Sequence, residues 1–259
     1  MTNFTEANRK AFDNLASEYN TKPWQQALSA QVTNELQHRE TWIGAQWTTT
    51  TSQTPTTNAK AEDLECKLLD YACGTGVVTK ALGPRVNTIR GIDISEKMVE
   101  KYNEACRSSG LDEEKAHAVV GDILTSPPSA ELQGKEWYDF GVAVICLGFH
   151  HFEFPQLAVT RLVERLRKGG VLFIVDFLPF DDEVEKEKRM REERGGGGDF
   201  PDMTHTIRHN GFNESQMETF FEDAGLGDFG FNLATNTTTM ELKGGTMERQ
   251  IFFAKGRKV

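Results

Sequence analysis

The sequence predicts an α/β fold built on a doubly wound, mostly parallel sheet, and three observations carry that expectation. First, the apolar run Leu68-Leu69 ends in Asp70 and then breaks into a small-residue turn, Ala72-Cys73-Gly74-Thr75-Gly76, as buried parallel strands do where they deliver their C-terminal edge to a bound group. Second, two further apolar runs end in carboxylates, Asp93 and Asp122, in the same register along the chain. Third, a helix, a glycine stop and another apolar run follow over Leu162 to Phe177, the alternation expected of βα units.

Taken in order, the elements begin with Phe12, Leu15, Ala16 and Tyr19 at helical spacing. A second helix follows Pro23 and carries Leu28, Val32 and Leu36. Thr48 to Lys60 is threonine-rich, aperiodic and interrupted by Pro55, which reads as a connector. Residues 1–60 are therefore expected to form a helical cap with its connector, and 61–259 the main domain. After the first strand, Val77 to Leu82 opens a helix whose N-terminal N–H groups point back toward the turn. Thr88 to Asp93 is the second strand, and Ser95 caps a helix carrying Met98, Val99 and Tyr102 on one side. Ala116 to Ile123 is the third strand. Tyr138 to Phe149 is the fourth, running straight into His150 and His151.

Beyond the fifth strand, Asp181 to Arg194 is almost wholly charged, with opposite charges four residues apart, and Gly195 to Gly198 breaks it. This insertion, about 181–210, reads as a solvated helix and loop, or as a lid over the sheet edge. A helix then runs from Asn213 through Phe220 and Phe221 to a stop at Gly225. Phe229–Leu233 and Gln250–Ala254 read as closing strands.

The turn after Asp70 is not a dinucleotide fingerprint, because the third small residue is missing from Gly74-Thr75-Gly76-Val77-Val78-Thr79. Nor is it a triphosphate loop, since no Gly-Lys-Ser/Thr follows. Asp70, Cys73, Gly74, Thr75 and Gly76 resemble motif I of the class I S-adenosylmethionine (SAM) dependent methyltransferases, with Ala72 where that family often has glycine. The turn there needs to be tight without requiring positive φ. The resemblance covers roughly Phe12 to the C-terminus and is closest to the small-molecule branch that includes the ubiquinone and menaquinone methyltransferase type. It implies a Rossmann-like seven-stranded sheet whose last strands are antiparallel, with cap helices folding over the cofactor.

The acidic residue 23 positions past Asp70, Asp93, stands where it can accept hydrogen bonds from both ribose hydroxyls. Asp122 can accept the adenine amino group while the Ile123 N–H serves a ring nitrogen, and the resemblance implies that Met98 covers one adenine face. The candidate cofactor set is Tyr19, Asp70, Ala72, Cys73, Gly74 and Gly76 from the cap and first strand, with Asp93, Ile94 and Met98 from the second. Gly121, Asp122, Ile123 and Cys146 complete it. Trp24 joins Tyr19 as a candidate pocket residue. For each acidic residue the plainer alternative is a turn cap, and for Cys73 and Cys146 a buried small hydrophobe.

SAM brings an activated methyl group, so alignment of the acceptor is the protein's main task. If the acceptor needs a base, His150 and His151 are the candidate catalytic residues, because they follow the fourth strand and imidazole titrates near neutrality. Their side chains are expected to diverge, so that one faces the pocket. His205 and His209 have a spacing of four, but Thr204-His205-Thr206-Ile207 reads as extended chain without an accompanying carboxylate pattern, so no metal site is expected. The chain carries 259 residues, a formal net charge of −10 and 38% hydrophobic residues. That is enough for one large core and disfavours a surface that tracks nucleic acid. Four cysteines without paired spacing, no apolar run of membrane-spanning length and a polar start point to the cytoplasm, or the nucleus.

The reading is a SAM-dependent methyltransferase acting on a small molecule at O, N, S or C. The alternatives are a protein or RNA methyltransferase and a SAM-binding regulatory subunit without turnover. A partner protein or a homodimer stays open.

Overall fold

The computed structural model describes residues 1–48, 65–180, 203–242 and 245–259. The chain opens with α1 (Asn3–Leu15), α2 (Pro23–His38) and the short α3 (Glu40–Ile43). Then come β1 (Lys67–Tyr71), α4 (Val77–Leu82), β2 (Thr88–Asp93), α5 (Glu96–Ser108) and β3 (Ala116–Val120). They are followed by β4 (Phe140–Cys146), α6 (Pro155–Arg165), β5 (Leu166–Phe177) and α7 (Glu214–Asp223). The last elements are β6 (Leu226–Leu233), the hairpin β7 (Thr238–Leu242) and β8 (Gly245–Arg249), and β9 (Ile251–Lys258).

Seven strands form one sheet in the order β3-β2-β1-β4-β5-β9-β6, and β9 alone runs against its neighbours. This is the expected doubly wound sheet with antiparallel closure. Both faces are covered, and the sequence alternates between them. Leu68, Val142, Val144, Phe173 and Val175 join a cluster with Leu28, Val32 and Leu36 of α2. Their immediate neighbours Leu69, Ala143, Ile145, Leu172 and Ile174 pack on the other face with Leu162 of α6 and Phe221 of α7. The period of two is thus present although the strands read as continuous apolar runs. The N-terminal helices share the first of these cores with the sheet.

Several boundaries differ from expectation. β4 stops at Cys146, three residues before the expected Phe149, where Leu147 turns to φ 57°, and Phe149–His151 form a 3-10 turn beyond it. Pro155 starts α6 earlier than the Leu162–Lys168 helix read from the sequence, and β5 already begins at Leu166. Gly169, at φ 74°, lies within that strand, where the pairing with β4 shifts register between Phe140 and Val142. β6 starts at Leu226, ahead of Phe229, and β9 runs on to Lys258. The β7–β8 hairpin was not anticipated; its strands are too short and too polar in Thr238-Thr239 and Glu248-Arg249 to stand out. Most of the Thr48–Lys60 tract and the charged insertion fall outside the described residues. Among the described residues, no helix is long and apolar enough to cross a membrane.

Candidate functional site

The order of strands reverses between β1 and β4, and in such sheets the crevice beyond the strand ends at that point receives ligands. A cavity of about 670 Å³ opens there, bounded by the turns after β1, β2, β3 and β4 and roofed by α1 and α2. That size lies within the roughly 300–1,000 Å³ of small-molecule sites.

The turn after β1 is tighter than expected. Ala72 sits at φ 57°, Gly74 at 50° and Gly76 at 90°, so the alanine does occupy the left-handed region, at a cost of about 1–2 kcal/mol. Gly148 accommodates the methyl of Ala72, since a Cβ at Gly148 would lie 3.1 Å from it. A Cβ at Gly76 would lie 3.1 Å from the Tyr102 ring, so the turn can pack onto α5 only with glycine there. Ala72, Cys73 and Gly74 line the cavity, whereas Gly76 and Asp70 do not. Asp70 is 1% exposed, and neither carboxyl oxygen has a hydrogen-bond partner. Burial, and then the nearby Asp93, pushes its carboxyl well above the usual carboxylate range.

Asp93 fastens the two turns together. Its Oδ2 accepts from Gly74 N (2.9 Å) and its Oδ1 from Ser95 N (2.9 Å), while the carboxylate borders the cavity. Burial raises its pKa to about 6, although the backbone donors oppose the shift. Ser95 caps α5 by accepting from Met98 N and donates its hydroxyl to Asp13 of α1 (2.7 Å). Asn20, at φ 63°, donates to the Thr75 hydroxyl (2.9 Å) and accepts from Ser29. The cap is thereby bonded to both turns that hold Asp93. Tyr19 lies past the end of α1, in the turn toward α2, and lines the cavity with Trp24; burial pushes its phenol up to about 12.

Ile94, Met98 and Asp122 continue the wall. Asp122 Oδ1 accepts from the Tyr71 hydroxyl (2.9 Å) and from Leu124 N (2.8 Å). Ile123 is fully buried and does not line the cavity. Gly121 is also off the cavity, its N–H bonded to the Asp93 carbonyl. Cys146 lines the cavity beside Cys73, and burial first of all pushes both thiols well up.

The histidines do not diverge. His150 and His151 both line the cavity, with ring centroids 4.0 Å apart, because the 3-10 turn turns both toward it. The His150 Nδ1 is 2.7 Å from Oδ1 of Asp176, a fully buried residue of β5 that also accepts from the His150 backbone N–H (3.0 Å). Burial alone would raise the Asp176 carboxyl, but His150 and the backbone donors outweigh it and hold the group below its ordinary value. An ionised carboxylate there must receive Nδ1–H, leaving Nε2 of His150 as the basic nitrogen. His151 donates Nδ1–H to the Thr206 carbonyl (2.8 Å), and burial foremost pushes its pKa down to about 3.

Asp176, Asn20 and Tyr71 were missed from the sequence. Asp176 carries the same signal as Asp93, a carboxylate at the end of an apolar strand, whereas nothing local marks Asn20. His205 lies on a 3-10 turn, Thr204–Thr206, rather than extended chain, and neither it nor His209 lines the cavity. His209 Nε2 instead bonds the Phe152 carbonyl.

The donor set suits SAM. Gly74 has open space where a side chain would stand, Asp93 offers a carboxylate beside it, and Met98 lines the same cavity as Asp93 and Asp122. Residues 68–170 match the family model described as a methyltransferase domain. An uncharacterized methyltransferase of Schizosaccharomyces pombe is 29% identical over 61% of this chain and 52% of its own length. The ubiquinone/menaquinone biosynthesis C-methyltransferase of Wigglesworthia glossinidia brevipalpis is 27% identical over 43% of this chain and 42% of its own. The chain therefore spans about half the length of these curated relatives. Magnesium protoporphyrin IX methyltransferase from Synechocystis, solved with bound S-adenosylhomocysteine, has the same fold at 14% identity, with a TM-score of 0.62 over 99% of this chain and 100% of its own. Sheet order and glycine turn agree with the match of residues 68–170 to a methyltransferase domain.

Proposed function

We propose that this protein transfers a methyl group from SAM to a small-molecule acceptor in the cytoplasm, with O, N, S and C acceptors open. The observation that carries the reading is that one cavity joins the Asp93–Met98–Asp122 wall to the His150–His151 wall. Asp93 would accept the ribose hydroxyls, Asp122 the adenine amino group, and Met98 would cover the base. The Ala72–Gly74 backbone would hold the amino-acid portion. When bound, SAM supplies a sulfonium-activated methyl group.

The protein's own part is alignment and proton removal. His150, oriented by the buried Asp176, presents Nε2 to the cavity and would take the proton of an acidic acceptor. His151 stays neutral at physiological pH, since its pKa is held at about 3. It would serve as a wall and hydrogen-bond acceptor beside His150. The cap helices α1 and α2 would limit the access of water to the site.

Incubation of the purified protein with methyl-labelled SAM and separate small-molecule, protein and RNA pools tests the reading. Label in the small-molecule pool is expected. Label confined to protein or RNA would reverse the acceptor class, and tight SAM binding without label in any pool would favour a regulatory subunit.

A further inference from the structure

The turn after β3 is the wall of the cavity that the sheet supports least. β3 stands first in the strand order and, among the described residues, pairs with β2 alone, so the turn carrying Asp122 hangs from an edge strand. Tyr71, the last residue of β1, lies two strands further in. It is in register with Ile92 of β2, and Ile92 with Val119 of β3. From there its side chain reaches back to the edge turn, where the hydroxyl donates to Oδ1 of Asp122 (2.9 Å). The residue is 3% exposed, and its ring meets the Phe152 ring edge-on with centroids 5.5 Å apart. One side chain thus ties the edge turn to the interior of the sheet and to the segment after β4.

A buried phenol needs an acceptor, and a backbone carbonyl would have met that need. Here the acceptor is a carboxylate on the cavity wall, and its bonds are one-sided. Leu124 N donates to the same Oδ1 (2.8 Å), so both donors sit on one oxygen, while Asp122 lines the cavity. A carboxylate held by a single bond turns easily about its last torsion. Two donors, one from β1 and one from its own turn, fix its plane and leave Oδ2 for a ligand. Burial, and then the charge of Asp122, pushes the Tyr71 phenol well above its ordinary range, so the hydroxyl remains a donor.

We propose that Tyr71 sets the base specificity of the cofactor site, its hydroxyl holding Asp122 so that Oδ2 meets the exocyclic amino group of adenine. The inference rests on the methyl-transfer reading above and deepens it. Tyr71 acts through Asp122 and is a positioning residue. An adenine amino group donates to the oriented carboxylate, whereas a base without that group leaves Oδ2 desolvated and unpaired. Once the carboxylate is loosened, Oδ2 can turn toward water, and the difference between the two bases shrinks.

The test measures, by calorimetry, the affinities of S-adenosylhomocysteine and of its analogue with hydrogen in place of the adenine amino group. The wild type should favour the first about 10–100-fold. Tyr71→Phe keeps the ring against Phe152 and should narrow that ratio about three- to tenfold, chiefly by weakening S-adenosylhomocysteine. In an Asp122→Ala background, where the ratio is already small, Tyr71→Phe should change it no further. Phe152→Leu is the second variant: it loosens the phenol without removing the hydroxyl and should narrow the ratio less. If Tyr71 were only a packing residue, Tyr71→Phe would weaken both ligands equally. That result, or a ratio unmoved by both variants, would overturn the inference while leaving the Asp122 assignment intact. A wild type that binds neither ligand or binds both alike, or an Asp122→Ala variant with an undiminished ratio, would remove the adenine assignment itself and this inference with it.

Discussion

Replacing Asp93 by Asn separates charge from shape at the junction of the two cofactor turns. In the cofactor-free protein the Asp93 carboxyl has a pKa of about 6, against about 3.9 for an unfolded aspartate, and two units correspond to about 3 kcal/mol. The folded protein holds this proton more tightly than the unfolded chain does. The stability that this group contributes is therefore complete below about pH 4 and lost as pH rises through about 6. Cofactor binding has the opposite sign, because ribose hydroxyls donate best to the ionised carboxylate. Titration calorimetry should show wild-type SAM affinity falling about tenfold from pH 7 to pH 5, the ionised fraction at pH 5 being roughly one in ten for a pKa near 6. Asp93→Asn should bind about 2–4 kcal/mol more weakly at pH 7, with little pH dependence, yet melt no lower than the parent without cofactor. An affinity independent of pH in the folded wild type, or unchanged in the variant, would refute the ribose assignment.

His150→Gln should leave SAM affinity nearly unchanged in calorimetry while lowering methyl transfer by about 10²–10⁴; full activity would remove the base. Asp176→Asn should cost about 2–3 kcal/mol in urea melts, because a buried carboxylate that accepts from His150 loses its charge. Its carboxyl is held low, so the wild type should lose this stabilisation as pH falls below about 4, and the variant should show a flatter acid limb. Asn20→Ala removes the bond to Thr75 and places alanine at φ 63°, so the melting temperature should drop by several degrees for about 1–2 kcal/mol. An unshifted melt would show that the cap is held without it.

The strands of the sheet were legible because burial on both faces leaves long apolar runs, and because Gly74, Gly76 and Ser95 act through local backbone chemistry. Asp93 and Asp122 were legible by position alone. What failed depended on tertiary geometry. The left-handed turn at Leu147 is set by contacts of β4 with β5, not by leucine itself, so the strand seemed to run through to Phe149. Ile123 reads as a wall residue from its place after Asp122, but the turn after β3 buries it away from the cavity. The partnership of His150 with Asp176 spans 26 residues and becomes visible only once β4 and β5 lie side by side.

The placement of β9 between β5 and β6 bears on how the protein is made. Residues Ile251–Lys258 leave the ribosome after every other strand, yet they fill an interior position and pair residue by residue with Val171–Phe177. Until they emerge, the backbone N–H and C=O groups of Val171–Phe177 along that edge of β5 are unpaired. Five parallel strands and their helices must wait as an incomplete sheet, a state prone to association through its open edge. Synthesis arrested a few residues short of β9 would release a chain that has lost both the β5 pairing and the link to β6.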